Sequence, residues 1–332
     1  MVYIYRKIVG GKPYYYLRVS ERKGKKVMAR DIAYLGSSID EVKQSLDNLP
    51  QYKESIRKAH KTIHSFLESN HFLEKVLALK LKEDKFLGEK LEEIEACRLH
   101  YNNVFKKRDE LTKKEIWNNF IVEFAFNTTS IEGNTITLKE AKSLLEEGMT
   151  PKNKTLREIY DLQNTEKVFL HLLEVKDELT NEFIINVHRG LVENIDARTG
   201  YRKEDIRVFK SHFDATPGPY VLADMKLLLR WYNENKNRLH PLVLAVIFHH
   251  KFEKIHPFMD GNGRTGRMLV NYILMIAEYP PLILHKRSRL EYLDVLKKAD
   301  DSDLTKSSVD DYSQLAQFAA DEMAISYWEL FL

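Results

Sequence analysis

Seven residues in the last third of the chain combine groups that suit phosphate chemistry. They are His256, Asp260, Gly261, Asn262, Gly263, Arg264 and Arg267. The two glycines allow the backbone to approach a ligand closely and to adopt a positive φ. The two arginines are three residues apart, so both project from one face of a helix that begins near the glycines. With the free N–H groups at the start of that helix, they are expected to bind a polyphosphate.

The same segment offers a proton acceptor and a metal ligand. His256 is the side chain of this loop that titrates near neutral pH, which suits a general base. Asp260 directly precedes the glycines, where a carboxylate can hold a divalent cation between phosphate oxygens. The pattern therefore predicts a nucleotide site with a base beside it.

Two helices must position this loop. The first is predicted over 242–255, because Pro257 disfavours helical backbone at His256. The second is predicted over 262–277. Nearly everything from residue 111 onward has helical periodicity, so we expect a mainly α fold. The pattern breaks between Gly200 and Tyr220, which predicts a short β-hairpin flap near 203–220 that aligns a partner by adding a strand.

The first 36 residues follow a different pattern. Runs of β-forming residues separated by Gly10-Gly11 and by Gly24 predict a three-stranded meander. Nine lysines and arginines oppose two carboxylates there, a net charge of +7 in a chain that totals +3. Basic residues around Tyr14-Tyr15-Tyr16 are typical of nucleic-acid contact. A solvated sheet and a surface that docks the protein substrate are the alternatives.

These patterns divide the chain into four segments. Residues 1–36 are a small basic β-module, 37–110 a helical connector, 111–300 the main domain and 301–332 a C-terminal helix. The 332 residues are 43% hydrophobic and 30% charged, which is typical of a soluble globular protein. A lone cysteine, Cys97, fits a reducing compartment. The most apolar stretch, 242–248, is too short to span a bilayer, so we expect a cytoplasmic protein without membrane contact.

Residues 256–267 resemble the active-site motif of the Fic family, His-x-Phe-x-Asp/Glu-Gly-Asn-Gly-Arg-x-x-Arg, and match it at every specified position. Similarity to the family extends over roughly residues 111–299. It implies a Fic-type helical bundle, and an enzyme that transfers AMP from ATP to a Tyr, Ser or Thr hydroxyl of a target protein. By this resemblance His256 is the base, Phe258 anchors the loop in the core, and Asp260 holds Mg²⁺ between the α- and β-phosphates.

The remaining motif positions are phosphate ligands by the same resemblance. Gly261, Asn262 and Gly263 would bind phosphate oxygens, and Arg264 and Arg267 would hold the β- and γ-phosphates. Kinase-type relatives carry lysine at the second glycine of the motif. Glycine at position 263 therefore favours AMP transfer over phosphoryl transfer.

A second motif, in residues 128–133, resembles the inhibitory helix of self-inhibited Fic proteins, Ser/Thr-x-x-x-Glu-Gly/Asn. Thr128, Glu132 and Gly133 occupy its fixed positions, on a helix predicted over about 113–134. The resemblance implies that Glu132 pairs with Arg267. Because a carboxylate there competes with the γ-phosphate, the chain is expected to inhibit itself.

Several functions remain open on the sequence. The alternatives are removal of AMP from a target, transfer of another phosphate-containing group, or a nucleic-acid-associated regulatory protein. The expected cofactors are ATP as substrate and Mg²⁺. Expected partners are a protein with an exposed hydroxyl, this chain itself as a target, a second copy in a homodimer and, less favoured, nucleic acid through residues 1–36.

Overall fold

The computed structural model describes residues 2–24, 26–206 and 214–332. These residues form one three-stranded sheet and, apart from short 3-10 turns, thirteen helices. The strands are β1 Val2–Val9, β2 Lys12–Lys23 and β3 Lys26–Gly36. The helices are α1 Ile39–Asp47, α2 Lys53–Lys58, α3 His60–Ala78, α4 Leu91–Asn103, α5 Glu110–Ile131, α6 Leu138–Glu147, α7 Leu156–Glu174, α8 Asn181–Leu191, α9 Val221–Asn235, α10 Pro241–Ile255, α11 Asn262–Ile276, α12 Arg289–Lys298 and α13 Val309–Leu330. The predicted mainly α class is confirmed.

The chain divides into two compact units. The first ends at Leu81 and the second spans Lys82–Phe331. The boundary lies inside residues 37–110, so α1 to α3 belong to the first unit and α4 to the second. The functional division into four segments stays a prediction.

The first unit is built on the predicted meander. Its strands are antiparallel in the order β1-β2-β3. One face of the sheet packs into a core with α1 and α3, and the buried members include Ile4, Leu17 and Ile63. The Tyr15 hydroxyl, on the same face, donates to Glu74 Oε1 at 2.9 Å. This core leaves the opposite face of the sheet available for other contacts.

The second unit surrounds one apolar helix. Residues 242–252 of α10 are buried on every side, as expected for a helix at the centre of a core. It packs against α9, α11 and α13, while α11 also contacts α5, α7 and α8. The loop that joins α10 to α11, residues 256–261, is therefore fixed at both ends by central helices.

Some predicted bounds differ from the structure. The helix expected over 113–134 is α5, which begins at Glu110 and ends at Ile131. Gly133 takes φ 107°, a backbone that suits glycine after a helix end. The C-terminal segment forms a helix over Val309–Leu330, so 301–308 precede it. Residues 207–213 of the predicted flap lie outside the described residues. Within the described ranges, no helix is long and apolar enough to cross a membrane.

Candidate active site

His256 lies at the C-terminal end of α10 with φ 51°, a left-handed backbone that ends the helix. Arg202 holds the last carbonyls, since its Nε donates to His256 O at 2.8 Å and its Nη2 to Ile255 O at 3.1 Å. A cation at this end also complements the helix dipole. Burial lowers the pKa of the His256 imidazole to about 4. The ring is therefore neutral at pH 7 and able to accept a proton.

Phe258 is fully buried beneath the loop. Its ring stacks on His188 of α8 with centroids 3.6 Å apart and planes 2° apart. His188 Nε2 lies 3.0 Å from the Asp260 carbonyl. Because a carbonyl only accepts, Nε2 must be the protonated nitrogen. Burial lowers the pKa of His188 to about 4, which keeps that neutral tautomer. The ring of Phe258 thus lies where an anchor of the loop is expected.

Asn262 closes the loop on itself. Its Oδ1 accepts from Phe258 N at 2.9 Å and its Nδ2 donates to Phe258 O at 2.8 Å. Gly261 caps α11 with φ 74°. A Cβ there would lie 3.1 Å from Val192 Cγ1. The Asn262 side chain is occupied by the loop, so its backbone N–H at the start of α11 is the group left for a phosphate.

Glu132 binds both arginines of the motif. Its Oε1 lies 2.7 Å from Arg267 Nη2 and its Oε2 lies 3.1 Å from Arg264 Nε. Sequence comparison predicted the pair with Arg267, and the structure adds the pair with Arg264. Arg264 is 2% exposed and Arg267 4% exposed. Both guanidinium groups are buried and bound to a carboxylate at the position where the sequence predicts a polyphosphate.

Further groups complete the pairing of these arginines. Arg267 Nε donates to Thr128 Oγ1 at 2.7 Å, and its Nη2 donates to Thr128 O at 2.9 Å. Arg264 Nη1 binds Asp161 of α7. The Cα of Gly263 faces the carboxylate so closely that a Cβ would overlap Glu132 Oε1. The helix end, the glycine and the arginines are therefore mutually fitted.

Asp260 lies directly before Gly261 and the start of α11, and its side chain is 28% exposed. One of its oxygens pairs with Arg157, and the other accepts from Gly261 N at 2.8 Å and lies 3.8 Å from Arg264 Nη2. The described part of the chain has no group of three or more His, Cys, Asp or Glu side chains suited to a metal. A single carboxylate beside a phosphate site matches the way Mg²⁺ binds with a nucleotide.

Glu253 was not identified from the sequence. It lies one turn before His256 on α10, with Oε2 3.9 Å from His256 Nδ1 and Oε1 3.9 Å from His249 Nδ1. Burial raises the pKa of Glu253 to about 7, although Arg267 acts in the opposite direction. Positions 249, 253 and 256 share a helix face, so their spacing was a usable signal.

The predicted site residues lie on two parts of the chain that the structure brings together. Thr128 is in the last turn of α5, and Glu132 and Gly133 directly follow that helix. The others lie on α11 or in the loop before it: His256, Asp260, Gly261, Asn262, Gly263, Arg264 and Arg267. Three further contributors were missed, Asp161, Arg157 and Arg202. Asp161 and Arg157 lie on α7, about a hundred residues before the arginine-bearing helix, and nothing in their local pattern separates them from ordinary helix charges.

Comparison with known proteins shows that part of the chain is similar to one protein family. Residues 178–274 match the model of the Fic/DOC family. A curated relative, the protein adenylyltransferase Fic of Drosophila erecta, is 34% identical over 212 residues. The match covers 62% of this chain and 41% of that protein, so the chain spans about two fifths of the length of its relative.

Two solved structures share the fold. One is a Fic domain-containing signalling protein from Bacteroides thetaiotaomicron, with TM-score 0.66 and 25% identity, covering 72% of this chain and 96% of that one. The other is Fic-1 from C. elegans, with TM-score 0.61 and 24% identity, covering 88% of this chain and 81% of that one. The latter likeness concerns the fold alone.

Proposed function

Because residues 178–274 of this chain belong to a Fic domain, we propose that the protein transfers AMP from ATP to a Tyr, Ser or Thr hydroxyl of a target protein. The observation that carries the proposal is the pair of buried arginines on α11, Arg264 and Arg267, beside the neutral imidazole of His256. They provide charge for a triphosphate and an acceptor for one proton.

The reaction needs one bond to form and one to break. The target hydroxyl oxygen attacks the α-phosphorus, and the P–O bond to the β-phosphate breaks, so pyrophosphate leaves with that electron pair. His256 takes the hydroxyl proton. Arg264, Arg267 and the N–H groups at the start of α11 bind the phosphate oxygens. Catalysis is then mainly positioning and stabilisation of charge.

Asp260 would hold Mg²⁺ together with phosphate oxygens. Bound there, the cation would offset negative charge on the phosphates. The carboxylate must first leave Arg157, which is 56% exposed at its side chain and so has room to turn away.

We further infer that Glu132 inhibits the enzyme. Its carboxylate bonds to Arg264 and Arg267 together, so a triphosphate must displace it from both. A carboxylate and a phosphate compete for the same guanidinium donors. Wild-type protein should therefore bind ATP weakly or in an unproductive orientation.

Self-labelling with α-³²P ATP and Mg²⁺ tests both parts, since the chain itself stands in for its target. We expect strong label on Glu132→Gly and weak label on wild type. His256→Ala in the Glu132→Gly background should abolish it. Glu147→Gly is the matched control, because it removes a glutamate from the end of α6.

Three results would count against the proposal. Equal labelling of wild type and Glu132→Gly would remove the inhibitory role. Absence of label in every variant, with ATP binding intact, would favour removal of AMP from a modified target or a different donor. Label that survives His256→Ala would remove the assigned base.

A further inference from the structure

The outer face of the N-terminal sheet carries a cluster of aromatic rings. In the β1–β2 ladder, Tyr5 lies opposite Tyr16, and in the β2–β3 ladder Tyr16 lies opposite Tyr34. Directly paired residues share a face of a sheet. Buried Ile4 and Leu17 pair on the opposite face, towards the core. The tyrosine face is therefore the one turned away from the core of this unit.

The rings form a connected surface. Tyr34 lies 5.4 Å from Tyr16 and 6.5 Å from Tyr14 between ring centroids. Tyr5 is 36% exposed and Tyr34 is 55% exposed. Arg18 stacks over Tyr5, with Cζ 3.6 Å from the ring centroid. A contiguous exposed patch with polar residues at its rim is typical of an interaction site.

Positive charge accompanies these rings. Lys7 lies opposite Tyr14, and Arg18 lies opposite Tyr3, so both cations share the tyrosine face. Asp31 pairs with Arg18 at 2.6 Å on the same face. Residues 1–36 as a whole carry +7. A nucleotide has a flat base and a negatively charged phosphate. Aromatic rings can stack on the base while neighbouring cations bind the phosphate, so this face suits a nucleic-acid strand.

We propose that this tyrosine face binds single-stranded nucleic acid. Its surface is formed by Tyr3, Tyr5, Tyr14, Tyr16 and Tyr34, with Lys7 and Arg18. Bases stack on the ring faces that Arg18 does not cover, and Lys7 binds a phosphate. Arg18 adds a second phosphate contact when it releases Asp31. A duplex is a poorer ligand, because its bases are already stacked on one another and their flat faces are inaccessible to a sheet. The proposal is independent of AMP transfer.

Binding is measured by fluorescence anisotropy of the full chain with a labelled 12-nucleotide oligo(dT) at 50 mM salt. Tyr5→Ala with Tyr34→Ala should weaken binding roughly 5-fold to 150-fold per ring removed. Tyr5→Phe with Tyr34→Phe keeps the ring faces and should bind within about 3-fold of wild type. Tyr220→Ala is the matched control, since it removes a 63% exposed tyrosine of the second unit.

Salt and strandedness complete the test. The logarithm of the affinity should fall linearly with the logarithm of the salt concentration, with a slope set by the number of phosphates contacted. A 12-base-pair duplex should bind more weakly than the single strand. The proposal is overturned by equal or tighter binding of the duplex, by unchanged affinity of the alanine variant, or by no binding of the single strand. If the single strand does not bind, and the variant without the two tyrosines also labels a protein target poorly, the tyrosine face binds a protein partner instead.

Discussion

Gly263 lies directly beneath the carboxylate of Glu132, so closely that a Cβ at position 263 would overlap Oε1 and lie 2.8 Å from Arg267 Nη1. Glycine at position 263 therefore affects the packing of Glu132, apart from any role in binding a nucleotide. Its missing side chain leaves the space in which Glu132 reaches the two arginines.

We predict that Gly263→Ala destabilises the wild-type protein more than the Glu132→Gly protein, in which only the close approach of the new methyl group to Arg267 remains. In the wild type the methyl group forces the carboxylate aside, and overpacking of this kind costs about 1–3 kcal/mol. The gain in helix propensity is the same in both backgrounds and cancels. Urea unfolding of the four proteins of this cycle gives the coupling. A coupling below about 0.5 kcal/mol would contradict the fit between the glycine and the glutamate.

Thr128→Val should release part of the inhibition. The change keeps the shape of the side chain but removes the oxygen that accepts from Arg267 Nε at 2.7 Å. A hydrogen bond to a charged group contributes about 1.5–3 kcal/mol. We expect self-labelling between that of wild type and Glu132→Gly, with lower stability.

The neighbouring Thr129→Val is its control. Thr129 is equally buried at 2% exposure, but its hydroxyl donates to the Ala125 carbonyl of its own helix. It should leave self-labelling at the wild-type level. If both valine variants label alike, the bond between Thr128 and Arg267 does not contribute to inhibition.

Glu253→Gln should change how stability depends on pH. The pKa of Glu253 is raised to about 7 in the folded chain. The folded state therefore holds a proton that the unfolded state has lost, and its stability falls as pH rises from about 4.5 to about 7. Glutamine removes this dependence, so the variant should be more stable than wild type at pH 8 by on the order of 3 kcal/mol.

Thermal unfolding between pH 5 and pH 8 measures this difference. Glu291→Gln, an exposed glutamate of α12, is the control and should follow wild type throughout. Parallel curves for wild type and Glu253→Gln would show that Glu253 is already ionised at pH 5 in the folded chain.

The labelling rate of Glu132→Gly should vary little with pH on the acid side. Burial lowers the pKa of His256 to about 4, and Glu132 opposes that shift, so its removal moves the pKa further down. A base of ordinary pKa would lose roughly tenfold in rate between pH 8 and pH 5.5. We expect less than about a twofold loss over the same range.

Single-turnover rates with saturating ATP and Mg²⁺ measure this profile. They should be repeated with Glu253→Gln in the same background, because the Glu253 carboxyl titrates near neutral pH. A limb near pH 6.5 that persists in the glutamine variant would contradict a depressed pKa for the base.

The geometry of the motif in residues 256–267 could be predicted from the sequence because it depends on residues that are close together in the chain. A proline, two glycines and two arginines within twelve residues determine where α10 ends, where α11 begins and which way the guanidinium groups point. The pair between Glu132 and Arg267 was also expected, through the resemblance of α5 to an inhibitory helix. Those parts of the site needed no knowledge of packing.

Other parts depended on packing between distant helices. Asp161 binds Arg264 only because α7 lies against α11. Arg202 reaches the end of α10 from the segment that follows α8. No periodicity in the sequence reports which charged side chain of a helix turns towards a neighbour. The predicted helix end near residue 134 is three residues beyond the observed end of α5 at Ile131. The prediction counted Gly133 as helical, although its φ of 107° is not a helical value.

The two hydrogen bonds between Asn262 and Phe258 carry a consequence for regulation. They hold the loop in one shape, so the backbone N–H groups proposed to bind phosphate are already in position. Under the proposed inhibition, apart from the release of Asp260 from Arg157, activation then depends on the position of the Glu132 side chain at the end of α5. Any event that moves that helix end by a few ångströms, whether a partner, a modification or a second copy, would suffice as an activator.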